Sequence, residues 1–426
     1  MRTLINAWKI DELRKKFIFV IFVLLIYRVG NAITVPYISK DLLESYFQGQ
    51  SNTILGLLNT MSGSALEQAS IFALSIQPYI NASIIIQLLS IAIPALERLS
   101  KEGGEDGKKK LEKITRYSTI AIAFLQGFGY YSILSSNSFI QADAGLSGAF
   151  IIIGSFMAGS VFLMWIGEQI TEFGIGNGIS IILFVSIVSR FPTQVYRLVT
   201  DFIGNPSMWW LYLALIIGAL AMLVLIVIVQ NSERRIPVVY AKRTVGRRQY
   251  GGQTTHLPLK VNMAGVLPII FAQTFASIPA TIATFVPKWQ DSWFVKAFDI
   301  SSWYYIVVYF LLIVFFSYFY STIQFNPVEV ANNLKKNAGQ IPGIRPGRPT
   351  IEFIQRVLSK ITLFGAIYLA LIAIVPIVIS KYSATAKASG IQLGGTSIII
   401  VIGVALETMK AIESQMMMRH YKGFLE

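Results

Sequence analysis

Cysteine is absent, which excludes disulfides and thiolate metal sites. The only histidines, His256 and His420, lie far apart in charged, polar stretches and read as solvated side chains, not as a metal pair. Charge is scarce at 14% of residues, and negative charge scarcer still, with 22 Asp and Glu against 36 Lys and Arg, a net charge of +14. A nucleotide-binding loop of the G-x-x-x-x-G-K-[ST] type is missing as well, so energy for any work must come from a partner. What fills the chain is hydrocarbon: 54% of its 426 residues are hydrophobic, the profile of a polytopic membrane protein.

A bilayer core of roughly 30 Å takes about 20 apolar residues per helix. Runs of that length occur near 17–35, 71–94, 115–135, 148–170, 175–199, 208–230, 262–286, 303–325, 357–380 and 391–412. This predicts an all-α membrane protein of ten spans, with the turn "FGIGNG" (173–178) dividing the fourth from the fifth. The N-terminus, residues 95–116, 231–260 and 326–360 and the C-terminal end together hold 28 of the 36 basic residues, against 7 on the opposite face and Arg28 inside a span. By the positive-inside rule the loaded face is cytoplasmic and carries both termini. No small-residue cleavage site follows the first run, so it reads as a retained span. Arg28, toward the outer half of that span, reads as snorkelling to the interface.

Two cytoplasmic loops, 231–260 and 326–356, are longer than a topology signal requires and carry arginines in turn-rich sequence. Basic loops orient any polytopic protein; projections of this length also suit docking to RNA, an acidic protein or lipid head groups. The spans hold little charge. Glu168, Glu172 and Glu407 lie near interfaces, where solvated or capping roles outrank a proton relay. An ion-coupled transporter built from inverted repeats would need a charged site at the repeat interface, and a membrane-embedded enzyme a catalytic dyad. Neither is visible in the sequence.

The spans do contain interruptions at matching places. "SIFALSIQPYINASIIIQLL" (70–89) carries Pro78 among three amides, and "VNMAGVLPIIFAQTFASIPATIATFVP" (261–287) carries Pro268 and Pro279. A broken helix standing second in each set of five spans suggests an inverted repeat, residues 1–204 and 205–426, whose interface is the pathway. Irregular, amide-bearing backbone is tolerated at this depth where it lines water or a protein seam.

The first of these stretches, with "WIGEQITEFGIGNGISIILF", "AKRTVGRRQYGGQTTHLPLKVNMAGVLPIIFA", "NLKKNAGQIPGIRPGRPT" and "GGTSIIIVIGVALETM", closely resembles the signature stretches of the SecY/Sec61-alpha family, in order from about residue 8 to 425. The resemblance implies a ten-helix, two-half channel that passes unfolded secretory polypeptides and releases hydrophobic segments sideways into lipid. It implies a pore ring at Ile76, Ile80, Ile179, Leu183, Ile270 and Ile400, with leucine at 183 where relatives often have isoleucine. It implies a plug, a short helix at about 60–70 including Gly63, Ser64, Ala65 and Leu66, where relatives commonly have two adjacent glycines. A lateral gate is implied at Gln87, Gln126 and Asn262, and docking of a motor or ribosome at Lys242, Arg243, Arg247, Arg248 and Arg345. Implied partners are the companion subunits SecE and SecG, the SecA ATPase, the ribosome, signal-sequence-bearing polypeptides and membrane lipids. The implied location is the plasma (inner) membrane; no catalytic residue, cofactor or metal is implied. An apolar ring has its own logic: it slides past any sequence without specific hydrogen bonds and gates by dewetting.

Overall fold

The computed structural model describes residues 7–49, 56, 59, 61–101, 103–141, 145–204, 206–240, 243–245, 248–250, 254–263, 265–285, 292–299, 302–382 and 395–422. Each of the ten apolar runs overlaps a helix among these residues, although 71–76 are turns and the run 175–199 is divided at Arg190. By length and composition, five described helices can cross a membrane: Gly145–Phe173, Gly178–Gly204, Tyr212–Asn231, Trp303–Lys336 and Arg348–Ile379. A sixth span is possible across Gln77–Ala92 and Pro94–Ser100, which meet at a bend of 106°.

The chain divides into two compact units. The first comprises Met1–Pro206, Ser277–Tyr305 and Ile379–Glu426. It contains α1 (Asp11–Ala32), α2 (Lys40–Gly49), α3 (Gln77–Ala92), α4 (Pro94–Lys101), α5 (Gly104–Ser136), α6 (Gly145–Phe173), α7 (Gly178–Ser189) and α8 (Phe191–Gly204). Helix α3 packs on α5, α5 on α6, and α6 on α7. With no hydrophobic drive between helices in lipid, close approach depends on small residues. A methyl group on Gly178 would collide with the Gly167 carbonyl oxygen, and one on Gly159 with that of Ile71. Pro78 does not kink a span: it sits in the first turn of α3, where its missing N–H has no helical partner to lose.

The second unit, Ser207–Ala276 with Ile306–Val378, adds strands to the expected helices. Strands β1 (Glu233–Tyr240), β2 (Arg243–Val245), β3 (Arg248–Tyr250) and β4 (Thr254–Lys260) follow the long helix α9 (Trp209–Asn231). Helix α10 (Leu267–Phe285) begins in this unit, and α11 (Trp293–Ala297) belongs to the first. After α12 (Trp303–Gln324) and α13 (Pro327–Lys336), the short β5 (Gly339–Gln340) joins the sheet in the order β4-β1-β5, all antiparallel. Along β1, Ile236 and Val238 are buried while Arg235 and Pro237 face water, the period of two expected of a half-covered strand. Ile236 and Leu259 form a core with Ala331, Ile341 and Ile354, so the two basic loops fold as one body. Helices α14 (Arg348–Tyr382) and α15 (Gly395–Lys422) complete the chain; α15 packs on α7 within the first unit.

Candidate functional site

Between α1 and α3 the chain makes a buried detour. Where a short helix is the expectation, residues 62–69 form a string of turns. Serines and a glycine in a row favour this, because hydroxyls compete with the helical ladder. The Ser62 hydroxyl donates to the Asn59 carbonyl (3.0 Å) and accepts from the Leu66 N–H (3.4 Å). Gly63, Ser64, Ala69 and Ser75 adopt left-handed backbone, at φ 69°, 70°, 47° and 52°. The exit is fixed by two bonds, from the Val35 N–H to the Ala69 carbonyl (2.9 Å) and from the Ile71 N–H to the Ile33 carbonyl (3.0 Å).

The segment is seated, not draped. Met61, Ser62, Ala65, Leu66 and Ala69 are all buried, and Leu66 and Ala69 share a core with Val35, Tyr130, Leu134 and Phe156. Gly63 has no room for a side chain, since a methyl there would lie 2.8 Å from the Ser186 carbonyl oxygen. Polar groups of the surrounding helices meet those of the segment. The Tyr130 hydroxyl on α5 donates to the Leu66 carbonyl at 2.7 Å. The Tyr27 hydroxyl on α1 lies 2.6 Å from Ser186 Oγ on α7 and 3.5 Å from the Ser62 carbonyl. Gln77 Nε2, at the start of α3, donates to Met61 Sδ at 3.3 Å.

The segment's one acid is held from two directions. Asn59 grips Glu67 twice, its Nδ2 donating to Oε2 (2.7 Å) and its Oδ1 accepting the Glu67 N–H (3.1 Å). Arg190, the C-terminal cap of α7, places Nη2 3.4 Å from the same Oε2. Arg190 is the residue that sequence reasoning missed, having placed it with the loops of the far face. The structure sets it at the junction of α7 and α8, within a stretch of spanning length, Gly178–Gly204. An arginine within a run of spanning length was the signal that could have found it.

The implied ring positions are apolar and mostly buried. Ile76 (0% exposed), Ile80 (7%), Leu183 (2%) and Ile400 (1%) lie in the first unit with the half-buried Ile179. Ile76 and Ile179 converge on Gly167, where a methyl would lie 3.5 Å from Ile76 Cδ1 and 3.2 Å from Ile179 Cγ1. Ile270 (7%) belongs to the second unit. Of the implied gate residues, Gln87 is exposed and bonds within its own helix to Ser83 Oγ (3.4 Å), and Gln126 is half-buried on α5. Asn262 is buried in the second unit and closes its own turn, Nδ2 donating to the Gly265 carbonyl at 2.9 Å. Glu168 forms an ion pair with Arg116 at 2.8 Å.

Of the implied docking residues, Arg243 and Arg248 lie on the β2–β3 hairpin, while Lys242 and Arg247 fall outside the described residues. Arg345 is exposed on a loop between Gly343 and Gly347, both left-handed, and its carbonyl accepts a bond from Thr350 Oγ1 at 2.8 Å. That bond fixes the backbone and leaves the guanidinium in water.

A family profile described as SecY matches residues 70–409. The chain is similar to the protein translocase subunit SecY of Streptomyces scabiei, 43% identical, with 99% of this chain and 98% of that one covered. It is 42% identical to the protein of the same description from Bacillus subtilis (strain 168), covering 100% and 99%. Its fold is similar to a solved structure described as "The structure of a protein conducting channel", at TM-score 0.67 and 16% identity, covering 94% of this chain and 92% of that one. It is also similar to "Sec61 in the Canine ribosome-channel complex from the endoplasmic reticulum", at TM-score 0.63 and 15% identity, with 94% and 92% covered.

Proposed function

The chain belongs to the SecY family and is a protein-translocation channel of the membrane, and from that premise we propose how its own residues do the work. Ten spans in two halves, 1–204 and 205–426, enclose a pore that passes unfolded secretory polypeptides and opens sideways to lipid. The channel lies in the plasma (inner) membrane with both termini cytoplasmic, as the basic residues favour. Ile76, Ile80, Ile179, Leu183, Ile270 and Ile400 form the constriction. Gln87, Gln126 and Asn262 line the lateral gate, where amides contribute about 1 kcal/mol or less each and can be displaced by a signal helix. Residues 61–70, with Gly63, Ser64, Ala65 and Leu66, are the plug.

The single observation that carries this reading beyond kinship is the buried, irregular segment 61–76. Non-helical backbone at membrane depth has to be surrounded by protein or water, and a removable stopper fits that demand.

The subunit is not itself an enzyme. Its work is driven by the SecA ATPase or an elongating ribosome, docked on Lys242, Arg243, Arg247, Arg248 and Arg345, with SecE and SecG as companions. A folded platform with Arg345 exposed on it supports that docking. Site-specific crosslinking of a stalled secretory precursor from positions 76, 80 and 270 tests the conduit: adducts at all three are expected, and none at any position overturns it. Arg345→Glu is expected to abolish motor-driven export while the subunit still inserts. Normal export by that variant overturns the docking role.

A further inference from the structure

We propose that Glu67 and Arg190 form a charge latch that holds the plug shut, with Asn59 as its guide; the proposal rests on reading residues 61–70 as the plug. The two side chains are only 14% and 19% exposed, and they meet at 3.4 Å in a chain whose spans hold little charge. An ionisable residue within a membrane helix calls for a functional account with its partner named. Here the partner lies on the segment read as the plug, which leaves its seat when the channel opens.

The division of labour is asymmetric. Arg190 belongs to the wall: it stands where α7 ends and α8 begins, on elements that stay in place whether or not the plug is present. Glu67 belongs to the plug, and Asn59 aims it, since one amide holds both its backbone N–H and its carboxylate. The Tyr130 bond to the Leu66 carbonyl fixes the neighbouring residue, so the carboxylate enters in a set register.

The physics suits a latch better than a weld. A partly buried ion pair adds little net stability over well-packed apolar groups, because both charges lose hydration, yet removing one partner strands the other at high cost. Departure of the plug into a wet funnel rehydrates both charges together, so the latch opens as a unit. Loss of either charge alone destabilises only the seated state.

A double-mutant cycle tests this with reconstituted channels in planar bilayers. Glu67→Gln, which keeps the shape and the bond to Asn59, and Arg190→Gln are each expected to raise the resting open fraction about tenfold or more. The double variant should leak no more than the leakier single, because both changes break the same pair. Singles at the unaltered channel's resting conductance overturn the latch, as do single effects that multiply in the double. Translocation of a secretory precursor by the unaltered chain is measured in parallel. Its absence overturns the channel reading itself, whereas normal translocation with a failed cycle removes the latch alone.

Discussion

Glu67 and Arg190 are nearly enclosed and face each other across 3.4 Å, whereas Arg234, Arg235 and Arg345 stand in water on the platform of the second unit. The two regions also differ in what holds them. The plug relies on single side-chain bonds and close backbone approaches, so each of its residues is tied to a particular neighbour. The platform relies on a β-ladder over a small apolar core, and its arginines are attached to it without supporting it. A buried polar device is therefore sensitive to change wherever a side chain is bonded or enclosed, while an exposed basic surface can lose charge without losing shape. Stability and function should come apart on the platform and travel together in the plug.

The sharpest way to break that contrast is steric. Gly159→Val places a branched side chain on α6 against the Ile71 carbonyl, at the plug exit and next to the Ser160 hydroxyl that bonds the Ser75 carbonyl at 3.2 Å. Overpacking at a site walled by backbone costs about 3 kcal/mol. The variant is expected to melt well below the parent in detergent and to leak at rest. Unchanged melting would mean that the plug seat is slack and that α6 can move away from Ile71 at little cost.

On the platform the corresponding lesion should be local. Ile236→Ala empties part of the core shared by Ile236, Leu259, Ala331, Ile341 and Ile354, at a cost of about 2–4 kcal/mol. Proteolysis within residues 231–260 should accelerate while resting conductance stays at the parent level. A leak in this variant would show the two regions to be coupled.

How much of this was legible beforehand follows the same division. The helices were legible because lipid imposes length and hydrophobicity on each span, and α9, exposed along most of its apolar length, is the plainest case. The strands were not. Their alternation at Arg235, Ile236, Pro237 and Val238 is short, interrupted by proline, and sits in a loop read for its charge. The plug was legible only through family resemblance, and even so its form was not: whether "SGSALEQAS" winds into a helix or a chain of turns depends on Tyr130, Ser186 and Arg190, far away in sequence. Arg190 escaped notice because composition assigns an arginine near a span end to the nearest loop, and only packing brings Glu67 beside it.

The smallest effect is the most discriminating. Ser64 adopts φ 70°, a conformation that disfavours any residue with a Cβ by roughly 1–2 kcal/mol. Ser64→Gly relieves that strain but also frees the displaced plug, whose greater backbone entropy takes back roughly 0.5–1 kcal/mol. The difference favours the seated plug by about 0.5 kcal/mol, which lowers the resting open fraction about twofold. Ser64→Val, stiffer at the same φ, should shift it the other way. Single-channel recording at rest resolves both shifts, and a rise in open fraction for the glycine variant would mean that serine at this position holds the plug by its side chain and not in spite of its backbone.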